Sequence, residues 1–115
     1  MSKYHSVKVK VDGMTFDSRK EANRYCELKL LQQAGKITDL RRQVRYLIIP
    51  TQYDETGEYG EIGACLERSA NYTADFVYHE NGKLVVEDVK GMKTDDYILR
   101  RKLMLQVYGI RIKEV

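Results

Sequence analysis

Valine alternates with lysine at Val7, Val9 and Val11, the period-two pattern of a strand with one covered face. Asp12-Gly13 follows, a pair suited to the left-handed backbone of a tight turn, and Met14-Thr15-Phe16 resumes the pattern, so a small β-hairpin is predicted. Over residues 19–34 the period lengthens to that of a helix, with Ser18 at the N-cap and Gly35 as the left-handed terminator. After Ile37 to Leu40, the β-favouring run of residues 43–49 predicts one strand, stopped by Pro50. Residues 50–63, rich in Gly, Glu, Tyr and Thr, read as a long loop that covers or borders a site. Residues 70–79 and 83–90 alternate on either side of Asn81-Gly82, which predicts a second hairpin closed by a type I′ turn. Thr94-Asp95-Asp96 caps a helix from about Tyr97 to Val107, and Gly109 releases the chain into a strand over residues 110–115. Strand, crossover helix and strand make a βαβ unit with parallel strands, so the whole reads as an α/β sandwich around a mixed sheet.

The second hairpin carries the chemistry. With Glu80 opposite Lys83, the turn sets a register that brings Asp75 opposite Asp88, Thr73 opposite Lys90 and Val77 opposite Val86. Phe76, Glu87, Ala74 and Val89 then point to the other side. Like charges facing each other across a hairpin at ~5 Å, with an effective dielectric of ~20, repel by on the order of 3 kcal/mol. Lys90 offsets part of this, and a hard divalent cation does so more completely, which makes Asp75 and Asp88 candidate ligands for Mg²⁺ or Mn²⁺. Lys90 lies one pleat along on the same face, within reach of a water on such an ion, and the Val89 carbonyl can approach the same place. The alternative is that Asp75, Asp88 and Lys90 solvate an open sheet face, a reading that Val77 and Val86 beside them weaken. Glu21 falls on the inward side of the first helix between Tyr25 and Leu28, away from Lys20, Asn23, Arg24 and Glu27. It is a candidate fourth site residue, although Ser18-x-x-Glu21 is also a complete capping box that explains it by helix stability.

The 115 residues fit one domain, 1–115, with apolar content near the globular average and a single proline, which excludes a disordered chain. The net charge of +3 permits contact with phosphate without requiring it. Arg41, Arg42 and Arg45, together with Lys93 just beyond the second hairpin, are candidate DNA contacts. Arg100, Arg101 and Lys102 read instead as the solvent face of a helix whose Ile98, Leu99, Leu103 and Leu105 pack inward. Nine tyrosines offer stacking surfaces for bases but are equally ordinary strand residues. Cys26 and Cys65 belong to no metal or redox motif and read as two unrelated buried thiols. Met1 to His5 lack the apolar stretch of a signal peptide and no segment is long enough to cross a bilayer, so a cytoplasmic protein without membrane contact is expected.

Asp75, twelve intervening residues, then Asp88-Val89-Lys90 resembles the signature of the PD-(D/E)XK nuclease superfamily, with Glu21 matching an acid that many members carry on a preceding helix. The segments Phe16-Asp17-Ser18-x-x-Glu21-Ala22, Leu28-x-x-Leu31-x-x-Ala34-Gly35-x-Ile37, Ala74-Asp75-Phe76 and Val89-Lys90-Gly91-Met92-Lys93-Thr94 are similar to a family of short phage and prophage proteins placed in that superfamily. The resemblance implies the αβββαβ core of restriction-endonuclease-like folds. It further implies metal binding shared by Glu21, Asp75 and Asp88, a catalytic Lys90, and a match between Gln43 and a polar residue that related nucleases keep near the site. Ala74 stands where the superfamily name has proline, and Asp88 replaces the more usual glutamate. The function so implied is Mg²⁺- or Mn²⁺-dependent hydrolysis of DNA in phage recombination, replication or packaging, with branched DNA as a substrate and a homodimer supplying two cuts. The rival readings are a DNA-binding protein that keeps the nuclease fold without turnover, and a partner-binding protein of phage assembly.

Overall fold

The computed structural model describes residues 7–115; the reading of Met1 to His5 lies outside them. The first hairpin pairs β1 (Val9–Val11) with β2 (Met14–Phe16), and Asp12 and Gly13 both take positive φ, as a type I′ turn demands. Helix α1 (Arg19–Gln33) starts where the Ser18 side chain accepts the Glu21 N–H and ends before Gly35 at φ 74°. Strand β3 (Thr38–Ile49) is longer than expected and absorbs residues 38–42. Strands β6 (Ala70–Glu80) and β7 (Lys83–Asp88) form the second hairpin in the expected register, Glu80 with Lys83 and Val77 with Val86. Between them and β3 lie two short strands, β4 (Gln52–Tyr53) and β5 (Cys65–Glu67), paired with each other. Helix α2 (Asp95–Tyr108), capped by Thr94 and closed by Gly109 at φ 68°, leads to β8 (Lys113–Glu114), which runs parallel to β7.

The main sheet has the order β3-β6-β7-β8, antiparallel except for its last pair. With α1 before it and α2 crossing from β7 to β8, the chain is an α/β fold in the expected element order, αβββαβ, around a mixed sheet. Two apolar clusters hold it. Phe16, Ala22, Tyr25, Leu28, Phe76 and Tyr78 fill the space under α1, and Tyr72, Ala74, Val77, Val86, Tyr97 and Met104 fill that under α2.

The membership of these clusters reveals a change of face inside the sheet. On β6, Tyr72 and Ala74 turn to α2 whereas Phe76 and Tyr78 turn to α1; on β3, Leu40 packs with the α1 cluster whereas Val44 and Tyr46 pack with the α2 cluster. Strict alternation would hold all even positions of a strand on one side. The switch falls at Gln43 and Asp75, where the β3–β6 pairing lapses between Arg42 with Phe76 and Val44 with Ala74, and Gln43 has φ 54°. The expectation that Ala74 shares a side with Phe76 is thereby corrected: a left-handed residue re-aims the strand, and Ala74 joins Val77.

Other expectations also change. Residues 50–63 are not a plain loop but contain β4 and an ordered tip, and none of them lines the cavity described below. At that tip the buried Asp54 carboxylate accepts the N–H groups of Thr56, Gly57 and Tyr59; burial pushes its pKa up, but these bonds outweigh burial and hold it below the usual value. Leu99 and Leu105 are exposed rather than inward, and Tyr97 and Met104 take the core positions of α2 instead. Cys26 and Cys65 are both exposed, since Cys26 falls on the outer face of α1 and Cys65 on a strand outside the main sheet.

Candidate active site

The ladder between β6 and β7 ends at Phe76 and Glu87, one step short of the two acids. Beyond it the Asp75 carboxylate takes the place of a backbone partner and accepts the Val89 N–H at 2.8 Å. β7 itself stops at Asp88, but its backbone stays tied to the chain end, with the Lys90 N–H donating to Val115 and the Val115 N–H to Asp88. The Lys20 ammonium, from the first turn of α1, donates to the Lys90 carbonyl at 2.8 Å. A hairpin, a helix start and a parallel strand thus fix three peptide units in a row.

On this frame Asp75 and Asp88 line one cavity, close enough for each carboxyl to feel the other. Asp88 is 3 % exposed, accepts the Tyr72 hydroxyl at 2.9 Å, and lies 3.3 Å from the Lys90 ammonium. Burial, followed by the hydrogen bond and charge of Asp75, pushes its carboxyl up to about 7, against the opposing pull of Tyr72 and Lys90. Lys90 sits with its ammonium 4.0 Å from the centroid of the Tyr97 ring, so aromatic face and carboxylate together hold it in place. The expected meeting of Asp75, Asp88 and Lys90 is present.

Glu21 approaches from α1 but does not join the pair. The Gln43 side-chain amide lies between them, 3.2 Å from Glu21 and 3.3 Å from Asp75, presented by the same left-handed residue that switches the strand. Burial first, then the charges of Asp75 and Asp17, raise the Glu21 carboxyl, while Arg42 at 3.8 Å lowers it. The Ser18 side chain accepts the Glu21 N–H, one half of a capping box, while the Glu21 carboxylate is engaged by Gln43 and Arg42. Val89 meets the site through its N–H and lines the cavity.

The acids open into a cavity of about 970 Å³ bounded by the start of α1, the end of the β6–β7 hairpin and the start of α2. Lys8, Lys20, Lys90 and Arg100 contribute positive charge to its walls. None of the basic residues proposed from sequence as DNA contacts lines this cavity. Arg41 pairs with Asp39, Arg42 lies over the Phe16 ring and donates to Thr15, Lys93 pairs with Glu114 at 3.1 Å, and Arg45 is exposed on β3. Sequence reasoning missed Tyr72, Tyr97 and Arg100 as parts of this site. Their signal was available only for Tyr72, three residues before Asp75 on a strand predicted to carry the chemistry.

Among the described residues no three His, Cys, Asp or Glu side chains stand in metal-binding geometry. The donor set nevertheless fits a hard divalent cation: two carboxylates crowd at a point where burial opposes their joint ionisation. Among the described residues no helix is long and apolar enough to cross a membrane.

Fold and site together define an α/β protein whose mixed sheet delivers two acids and a lysine to one cavity. The chain belongs to the family described as "Protein of unknown function (DUF1064)", whose model matches residues 1–113. Neither the curated proteins nor the solved structures searched give a match.

Proposed function

We propose that this chain is a metal-dependent DNA endonuclease that hydrolyses phosphodiester bonds with Mg²⁺ or Mn²⁺ held by Asp75 and Asp88. The observation that carries the reading is the apposition of these two acids at a strand end, beside Lys90, in a cavity whose walls mix further acids with Lys8, Lys20 and Arg100. A bound divalent cation would supply Lewis-acid polarisation of the phosphodiester. The chain's own residues do the rest. Tyr72 orients Asp88 through its hydroxyl, and the Val89 N–H fixes Asp75. Lys90, held on Tyr97, offsets charge on the phosphate and positions the attacking water. Gln43 bridges Glu21 and Asp75 through its amide and holds both in place against their repulsion.

The resemblance to PD-(D/E)XK nucleases supports the same chemistry and extends it to phage recombination, replication or packaging in a bacterial cytoplasm, with branched DNA as substrate. A DNA-binding protein without turnover is the second reading, favoured by the separation of Glu21 from the acid pair. Incubation with linear duplex, single-stranded and branched DNA, with and without Mg²⁺ or Mn²⁺, separates the two. Divalent-dependent cutting, abolished in Asp88→Ala and in Lys90→Ala while circular dichroism is unchanged, is the expected result. Binding without cutting under every condition selects the second reading, and cutting that survives both substitutions removes Asp88 and Lys90 from the mechanism.

A further inference from the structure

The segment from Pro50 to Ser69 is an arm that holds its own shape. Its two strands pair with each other and not with the main sheet, and its tip is closed by the Asp54 carboxylate and by backbone bonds joining Asp54 to Gly63 and Ala64. Among the described residues, none of the arm belongs to either apolar cluster. Its apolar side chains are instead on the surface. Among the described residues fourteen large hydrophobics are exposed, and six of them fall on the end of β3 or on the arm: Leu47, Ile49, Tyr53, Tyr59, Ile62 and Leu66. A segment so well specified, yet burying so little of its own apolar surface, has the character of a preorganised contact surface.

Charge along the chain indicates what covers it. Residues 50–69 carry five acids, Asp54, Glu55, Glu58, Glu61 and Glu67, against the single base Arg68. The remaining residues carry nineteen bases against twelve acids. The order within β3 and the arm is graded: basic at Arg41 and Arg45, apolar at Leu47, Ile49 and Tyr53, and acidic at Glu55, Glu58 and Glu61, all of them exposed. A two-fold axis through the apolar middle lays the basic end of one copy along the acidic end of the other, twice over. This is the self-complementarity that an isologous interface requires. Strand β3 is moreover an edge of the main sheet with no further strand beside it, although the Leu47 carbonyl accepts the Tyr108 hydroxyl, so the approach is through side chains.

We propose that β3 and the arm form the interface of a homodimer, with Leu47, Ile49, Tyr53 and Leu66 at its centre and the Arg41/Arg45 pair of each copy facing the Glu55/Glu58/Glu61 tip of the other. This inference does not rest on the nuclease reading, because it concerns the side of the molecule that lies outside the cavity.

The test is the mass of the full chain by sedimentation equilibrium at concentrations up to about 100 μM, in about 50 mM and about 500 mM salt. A dimer mass at low salt that moves towards the monomer at high salt is expected. Leu47→Asp and Leu66→Asp alter side chains that are 47 % and 42 % exposed, so each should give a monomer that still unfolds cooperatively. Arg41→Glu/Arg45→Glu and Glu55→Lys/Glu58→Lys/Glu61→Lys should each be monomeric alone, because all their facing charges are alike, and should form a mixed dimer when combined. A monomer under every condition overturns the proposal and leaves a different protein as the arm's partner. A dimer that survives both leucine substitutions, or charge-reversed chains that fail to pair on mixing, overturns it equally. Since mass is measured without DNA, an inactive dimer or an active monomer tells the two proposals apart.

Discussion

Tyr72 donates its hydroxyl to Asp88 from a position 3 % exposed, and burial together with that carboxylate pushes the phenol far above its usual pKa. The phenol therefore keeps its proton and stays a donor to one member of the acid pair. Partners that orient a metal-binding carboxylate in this way are commonly worth 10–100-fold in affinity or activity. Tyr72→Phe keeps the ring and removes the donor, so Mn²⁺ affinity measured by calorimetry should fall by about ten-fold or more while the melting temperature moves little. An unchanged affinity would show that Asp88 is positioned by the backbone alone. Gln43 is the other decisive single residue. Its positive φ places one amide between Glu21 and Asp75 and turns β3 over at the same point. Nothing in an alternating run of β-formers announces a left-handed residue at its head, so this was not legible in the sequence.

At the scale of elements, α1 is tied to the sheet by an ion pair inside the fold. Glu87 is fully buried and accepts Arg24 through both oxygens, at 2.5 and 2.9 Å, as well as the Tyr78 hydroxyl at 2.6 Å. Strand alternation correctly put Glu87 on the side away from Asp88, but helix periodicity assigned Arg24 to the solvent face. Arginine defeats such an assignment because its long stem carries the guanidinium back to a buried acid. Removing one member of a buried pair strands the other and costs about 3–5 kcal/mol, so Arg24→Met should lower the urea midpoint severely and Arg24→Met/Glu87→Gln should recover part of the loss. A small effect of the single substitution would mean that Tyr78 alone satisfies Glu87. The caps and turns at Ser18, Asp12-Gly13, Asn81-Gly82, Thr94 and Gly109 were all readable, because each depends on local backbone chemistry. The arm was not: β4 and β5 are too short for a period, and Asp54 organises its tip through bonds to residues two to five positions on. Leu99 and Leu105 misled for a related reason, since the apolar stripe of α2 is set by Tyr97 and Met104.

The whole molecule closes through its last residues. Parallel strand β8 lies against β7, and Glu114 gathers Tyr97 at 2.6 Å, Arg101 at 3.1 Å and Lys93 at 3.1 Å, joining α2 and the post-hairpin turn to the sheet. The Tyr97 hydrogen bond first, then that of Lys93, holds the Glu114 carboxyl down to about 2. A folded-state pKa below the unfolded value gives stability that is complete above the unfolded pKa and drains away as the pH falls towards the folded one. The difference in unfolding free energy between the wild type and Glu114→Gln should accordingly be constant near neutrality and shrink as the pH falls from about 4.5 to about 2. A difference independent of pH would show that the carboxylate charge is not what locks the chain end. The same closure delivers the Asp88-Val89-Lys90 segment to the cavity, so fold and site depend on one set of contacts. The central claim is that Asp75 and Asp88 form a site for one hard cation. The most direct measurement is anomalous diffraction from a crystal of this protein grown with Mn²⁺. A single strong peak between the two carboxylates and beside Val89, lost in Asp88→Asn, is expected; manganese bound elsewhere, or absent from that place in a well-ordered crystal, would contradict the shared site.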